Sequence, residues 1–221
     1  MTMTVTTNIP VSAPAEATGT PGPITEMISA IKAAAVPGTI ERLEGSTVLE
    51  NQFIRVDTDT VRFPNGTLGQ YSVVTSGSGL GVLTIPFVNF RGIAHVGLVR
   101  QYRYPTGEFT LEFPRGGSDD LTLDEAAREL IEETGLDYSS AALLGTIRPD
   151  TGILTTEVAV WKTFHGMEHL RPGHVEDETG AKIEWYSHGQ LLGMIRNGKI
   201  TCGMTLAALG LLTAGGNMNC P

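Results

Sequence analysis

A chain of 221 residues carries a formal net charge of −9 and a pI near 5.0, with no block of Lys or Arg to oppose a nucleic-acid backbone. Cys202 and Cys220 are the only cysteines and show no Cys/His spacing, which argues against a disulfide framework and a zinc site; no apolar run reaches membrane-spanning length. The expectation is a cytoplasmic protein that engages neither nucleic acid nor membrane, long enough for one well-filled core with a small second lobe.

Residues 1–23 are Thr, Ala, Pro and Gly with few large apolar side chains, and are expected to form a disordered tail. A short helix is expected over 24–35, where Met27, Ile28 and Ile31 share a side before Pro37 and Gly38 stop it, with a linker to residue 45. From Ser46 the texture turns β-rich. Residues 53–57 and 60–63 lead into Pro64-Asn65-Gly66, a strong turn signal, and 70–74 return, defining an N-terminal β lobe over 46–88.

Further strands are expected over 81–89, 93–104, 109–113, 142–147, 157–164 and 182–186. The clearest helix covers 122–134, with Thr122 as N-cap, Asp124 and Glu125 in the first turn and Gly135 as the stop. Residues 188–197 and 201–214 read as closing helices in which Met194, Leu206, Leu209 and Leu212 are core, and 216–221 as a tail. Strands first and helices late give an α+β protein whose main domain spans 89–215.

On the 122–134 helix, Glu125, Glu129, Glu132 and Glu133 fall at i, i+4, i+7 and i+8 on one stripe, opposite Ala126, Ala127, Leu130, Ile131 and Thr134. Such a stripe by itself is common on solvated helices. Four adjacent carboxylates repel one another, and a hard cation, Mg²⁺ or Mn²⁺, is the natural neutraliser, with Arg128 aiming one carboxylate. A strand followed by the Pro114-Arg115-Gly116-Gly117 turn and this helix can converge on a phosphate or its metal.

Phe113-Pro114-Arg115-Gly116-Gly117 with Arg128-Glu129-Leu130-Ile131-Glu132-Glu133-Thr134-Gly135-Leu136 resembles the Nudix box, G-x5-E-x7-R-E-U-x-E-E-x-G-U. Every fixed position of the second half matches. The first half departs, because the loop is about two residues shorter and Asp119 or Asp120 stands where the pattern has its first Glu. Val99-Arg100-Gln101-Tyr102-Arg103-Tyr104-Pro105, the upstream hairpin and the closing segments are similar to the ADP-ribose pyrophosphatase branch.

The resemblance implies a Nudix fold, a mixed β-sheet between helices with an N-terminal antiparallel lobe, and a homodimer whose lobes help build each other's nucleotide pockets. It implies Mg²⁺- or Mn²⁺-dependent cleavage of ADP-ribose or a related nucleoside diphosphate sugar into a nucleoside monophosphate and a sugar phosphate. Metal ligands would be Glu129 and Glu133, with Glu132 supporting and the Arg115 backbone carbonyl added. Arg103, Arg115 and Gly116 would bind substrate, and Arg128 would orient a carboxylate. The general base would come from the acidic run 175–179, Glu178 first and Glu176 second, although such a run is equally an ordinary charged loop. Two alternatives stay open: a dinucleotide (NADH-type) pyrophosphatase, and a Nudix-fold module that senses nucleotides without turnover. For Phe53, Tyr102 and Tyr104 core packing is the stronger expectation over adenine stacking. The five histidines show no ligand spacing.

Overall fold

The computed structural model describes residues 38–167 and 182–215. The expected N-terminal tail, the helix at 24–35, the acidic run at 175–179 and the C-terminal tail lie outside the described residues.

β1 (Glu41–Glu50), β2 (Ile54–Arg62) and β3 (Leu68–Ser76) form an antiparallel three-stranded sheet in the order β1-β2-β3. The two runs expected at 53–57 and 60–63 are one continuous strand, and β1 begins at Glu41, inside the segment read as linker. Between β2 and β3 the chain reverses as Pro64-Asn65-Gly66 demands. Gly66 takes φ 85°, and the Asn65 side chain accepts from the Thr67 N–H at 3.0 Å.

The second sheet contains β4 (Leu80–Phe90), β5 (Ile93–Arg103), β6 (Glu108–Glu112), β7 (Arg115–Gly117), β8 (Ser140–Ile147), β9 (Glu157–His165) and β10 (Lys182–Ser187). Its path is β10-β5-β4-β9-β8, with β6 on β5 and β7 on β4. Only β4 and β9 pair in parallel; the remaining pairs are antiparallel. Residues 93–96 of β5 pair with β4, whereas 99–103 pair with β6. The first residues of β4 pair instead with β7. The sheet therefore forks, and the Pro114 turn lies in the fork. β7 has three residues, too few to show a period, and was not among the expected strands.

Three helices complete the described fold: α1 (Leu123–Thr134), α2 (His188–Arg196) and α3 (Gly203–Ala214). Alternate residues of a strand face opposite ways, so β4 buries both faces. Val82 packs with Ala126 of α1 and Ala159. Leu83, Ile85 and Phe87 join Leu98, Phe113, Leu191, Leu209 and Leu212 in the larger core under α2 and α3. The result is a strand-rich α+β structure with an antiparallel N-terminal sheet. That sheet is tied to the segment before β9 by Val74 N–H to the Ile153 carbonyl at 2.9 Å and the Tyr71 hydroxyl to the Gly152 carbonyl at 2.9 Å. Among the described residues no helix is long and apolar enough to cross a membrane.

Some expectations about burial are corrected. Ile131 is 49% exposed and Leu206 36%, because amphipathic spacing does not say where a helix overhangs its partner. Phe53, Tyr102 and Tyr104 are likewise exposed rather than packed into the core.

Candidate active site at the mouth of the sheet fork

α1 starts and stops largely as its sequence dictates. Asp124 and Glu125 occupy the first turn, and Gly135 closes the helix at φ 66° with its N–H on the Ile131 carbonyl at 2.8 Å. Thr122 holds the N-cap position but its side chain makes no capping bond. Ala126, Leu130 and Thr134 are buried on one side, leaving the acidic stripe on the other.

Arg128 answers most of the repulsion along that stripe. Its guanidinium reaches Glu129 at 2.7 Å, Glu132 at 2.9 Å and Glu125 at 3.0 Å, and donates to the Gly117 carbonyl at 3.4 Å. The expected single fork is thus a three-carboxylate bridge that ties α1 to β7. Asp119 and Asp120 are exposed, and Glu125 is the acid before Glu129 that braces Arg128.

Glu133 is left outside this bridge. Its Oε2 accepts from the Arg115 backbone N–H at 3.1 Å. Burial, reinforced by the nearby Glu129 charge and opposed by that N–H, pushes its carboxyl up to about 7. Burial also raises Glu129, against the pull of Arg128. Glu129 lies so close to the turn that a Cβ on Gly116 would meet its Oε2 at 1.8 Å. Any side chain there would force the Glu129 carboxylate to move. Beside the turn a cavity of about 310 Å³ is lined by Gly77, Ser78, Gly117, Ser118, Asp119, Glu125 and Arg128.

Arg103 and Arg115, both expected to hold substrate, converge on a residue outside the expected site. Glu112, only 3% exposed, takes Arg103 Nε at 3.0 Å and Nη2 at 2.7 Å, Arg115 Nε at 3.0 Å and Nη2 at 2.9 Å, and the Thr110 hydroxyl at 2.8 Å. Glu112 shares its face of β6 with Glu108 and Thr110, so alternation alone reads it as a solvent-facing acid. Burial is the largest single influence on Glu112 and disfavours its charge. The two arginines and Thr110 together outweigh it and hold the carboxyl down at about 2.

A folded-state pKa below the unfolded value means that the contribution is complete above about pH 4.5 and disappears as pH falls toward about 2. At about 1.4 kcal/mol per unit it amounts to ~3 kcal/mol. Urea unfolding across that range should show the loss in the wild type and a flatter profile in Glu112→Gln. Equal slopes would contradict it.

The structure thus brings Glu129, Glu132, Glu133, Arg128, Arg103, Arg115 and Gly116 to one end of the fork. Glu176 and Glu178 lie outside the described residues. Among the described residues no cluster of three or more His, Cys, Asp or Glu is arranged to hold a metal ion. Mg²⁺ needs no such cage, since one or two carboxylates with water and phosphate oxygens hold it. Glu129 and Glu133, two half-buried acids whose carboxyls burial raises, fit that donor set.

No family model matches the chain, and no curated protein does. A solved structure described as "Crystal structure of ADP compounds hydrolase" superposes with a TM-score of 0.65 at 18% identity, covering 83% of this chain and 99% of that one. At that identity the likeness is one of fold: this chain has the strand-and-helix arrangement of that hydrolase over almost its whole length.

Proposed function

We propose that this protein hydrolyses the diphosphate of ADP-ribose or a related nucleoside diphosphate sugar, using Mg²⁺ or Mn²⁺, to give a nucleoside monophosphate and a sugar phosphate. One observation carries the reading: the Glu129 and Glu133 carboxylates meet the Arg115–Gly117 strand at the mouth of the fork. The shared fold with a protein described as an ADP compounds hydrolase supports the substrate class.

In this mechanism Glu129 and Glu133, with the Arg115 backbone carbonyl, would hold the metal, and Glu132 would assist from the solvent side. When bound, the metal would supply the positive charge that neutralises the diphosphate. Arg128 keeps Glu129 aimed through its 2.7 Å contact. Arg103 and Arg115 receive the phosphate oxygens, and Gly116 lets them approach the backbone. An acid of the 175–179 run, Glu178 before Glu176, takes the proton of the attacking water. Water then adds to phosphorus as the bridging P–O bond breaks.

The proposal includes a cytoplasmic homodimer. Exposed Val48, Leu49, Phe53 and Leu68 on the N-terminal lobe support self-association, because a second copy would cover them.

The test is incubation with Mg²⁺ and a panel of ADP-ribose, sugar nucleotides and dinucleotides, with chromatographic separation of products and light scattering for the mass. Metal-dependent release of AMP and a sugar phosphate is expected. Turnover confined to dinucleotides would move the substrate class, and none on any panel member would sink the activity.

A further inference from the structure

We infer that Glu112 is a positioning residue that joins Arg103 and Arg115 into one fork for a diphosphate, an inference resting on the function proposed above. A carboxylate offers about four lone-pair directions, and five donor contacts already converge on Glu112. It is 3% exposed, so it neither reaches solvent nor has acceptor capacity left for a metal or a proton. Its remaining effect is on the two guanidinium groups.

Each arginine has five N–H donors and commits two to Glu112, leaving three. Side-chain exposures of 31% for Arg103 and 26% for Arg115 leave part of each group open to solvent. The fork is also anchored beside the carboxylate pair, because the Arg115 N–H holds Glu133. Two guanidiniums against the Glu112 carboxylate leave a surplus positive charge, which Glu133 offsets when it is ionised. That surplus, held in a planar donor array, suits a diphosphate, with one arginine for each phosphate. Without Glu112 the two cations would repel each other and lose their common orientation.

Simple electrostatics and positioning predict opposite signs. Removing a negative charge beside two arginines should tighten binding of any anion if Glu112 is a bystander. If Glu112 positions the fork, Glu112→Gln should weaken it.

The probe is inorganic pyrophosphate, titrated calorimetrically into the full chain without metal, with circular dichroism to verify folding. We expect Glu112→Gln to bind at least about tenfold more weakly than the wild type. Unchanged or tighter binding, or no binding by the wild type, overturns the inference. Should Glu112→Gln fail to fold, the cycle of Arg103→Gln, Arg115→Gln and their double variant decides. Coupling through Glu112 makes each single change cost most of the affinity, with the double only about twofold worse. Independent, additive losses overturn the inference. ADP-ribose hydrolysis measured in parallel separates the two readings: a coupled fork in a chain that hydrolyses nothing defeats the proposed function alone.

Discussion

In the metal-free protein, Glu133→Gln should raise stability at pH 8 while removing the response to Mg²⁺. The folded-state pKa of Glu133, about 7, lies above its ordinary value of 4.5, so the folded chain holds the extra proton between those two values. Stability from this group is therefore greatest below about pH 4.5 and declines as pH rises through about 7. Carried to pH 8, the deficit is at most about 3 kcal/mol. Glutamine removes the charge but weakens the bond from the Arg115 N–H, so the expected net gain is about 1–2 kcal/mol.

Under the proposed function, a divalent cation would offset the same deficit in the wild type and compete with the proton for the carboxylate. Mg²⁺ at roughly a hundred times its dissociation constant should then stabilise the wild type by about 2.7 kcal/mol at pH 8, and by far less at pH 5. Thermal melts of both proteins with and without Mg²⁺ at the two pH values read this directly. Hydrolysis should fall by roughly 10²-fold or more in the variant. Equal Mg²⁺ shifts in both proteins would remove Glu133 from the metal site.

Gly116→Ala should separate folding from function. The new methyl would meet Glu129 Oε2 at 1.8 Å and its Cδ at 2.1 Å, so one of them must move. Both are at the free end of a flexible side chain, and the Gly116 backbone is not in the left-handed region, so the fold tolerates the change at small cost. Glu129 swings away from the turn and loosens its 2.7 Å contact with Arg128. A displacement near 1 Å at such a site costs on the order of 10²-fold in rate. The expected outcome is a melting temperature within a few degrees of wild type and a loss of activity close to that of Glu129→Gln. Full activity in Gly116→Ala would show that Glu129 does no work where the structure places it.

What was legible beforehand depended on distance along the chain. The acidic stripe of α1, its Gly135 stop and the Asn65-Gly66 reversal are local: helix period, positive φ and turn chemistry are set by neighbours within a few residues. The spacing of Arg128, Glu129 and Glu133 could therefore be read without coordinates. Arg128 bridging three acids instead of one was only half legible, because side-chain reach, not spacing, decides how many carboxylates a guanidinium touches.

The Glu112 network was hidden for a different reason. The β5–β6 register sets Arg103 opposite Glu108 and Val99 opposite Glu112, which leaves Arg103 and Glu112 on one face where their long side chains meet, and Glu112 meets Arg115 because the chain turns at Pro114 into β7. Register and the fork of the sheet come from packing of β4, β5 and the helices about a common core, which no short window of residues expresses. Sequence by itself determined the row of carboxylates on α1, since a helix's own period arranges them. Tertiary structure decided that Glu133 lies against the Arg115 N–H, that Glu129 leaves no room for a side chain at Gly116, and that burial lifts the Glu133 carboxyl toward neutrality. Burial and close approach are properties of surfaces brought together from distant parts of the chain.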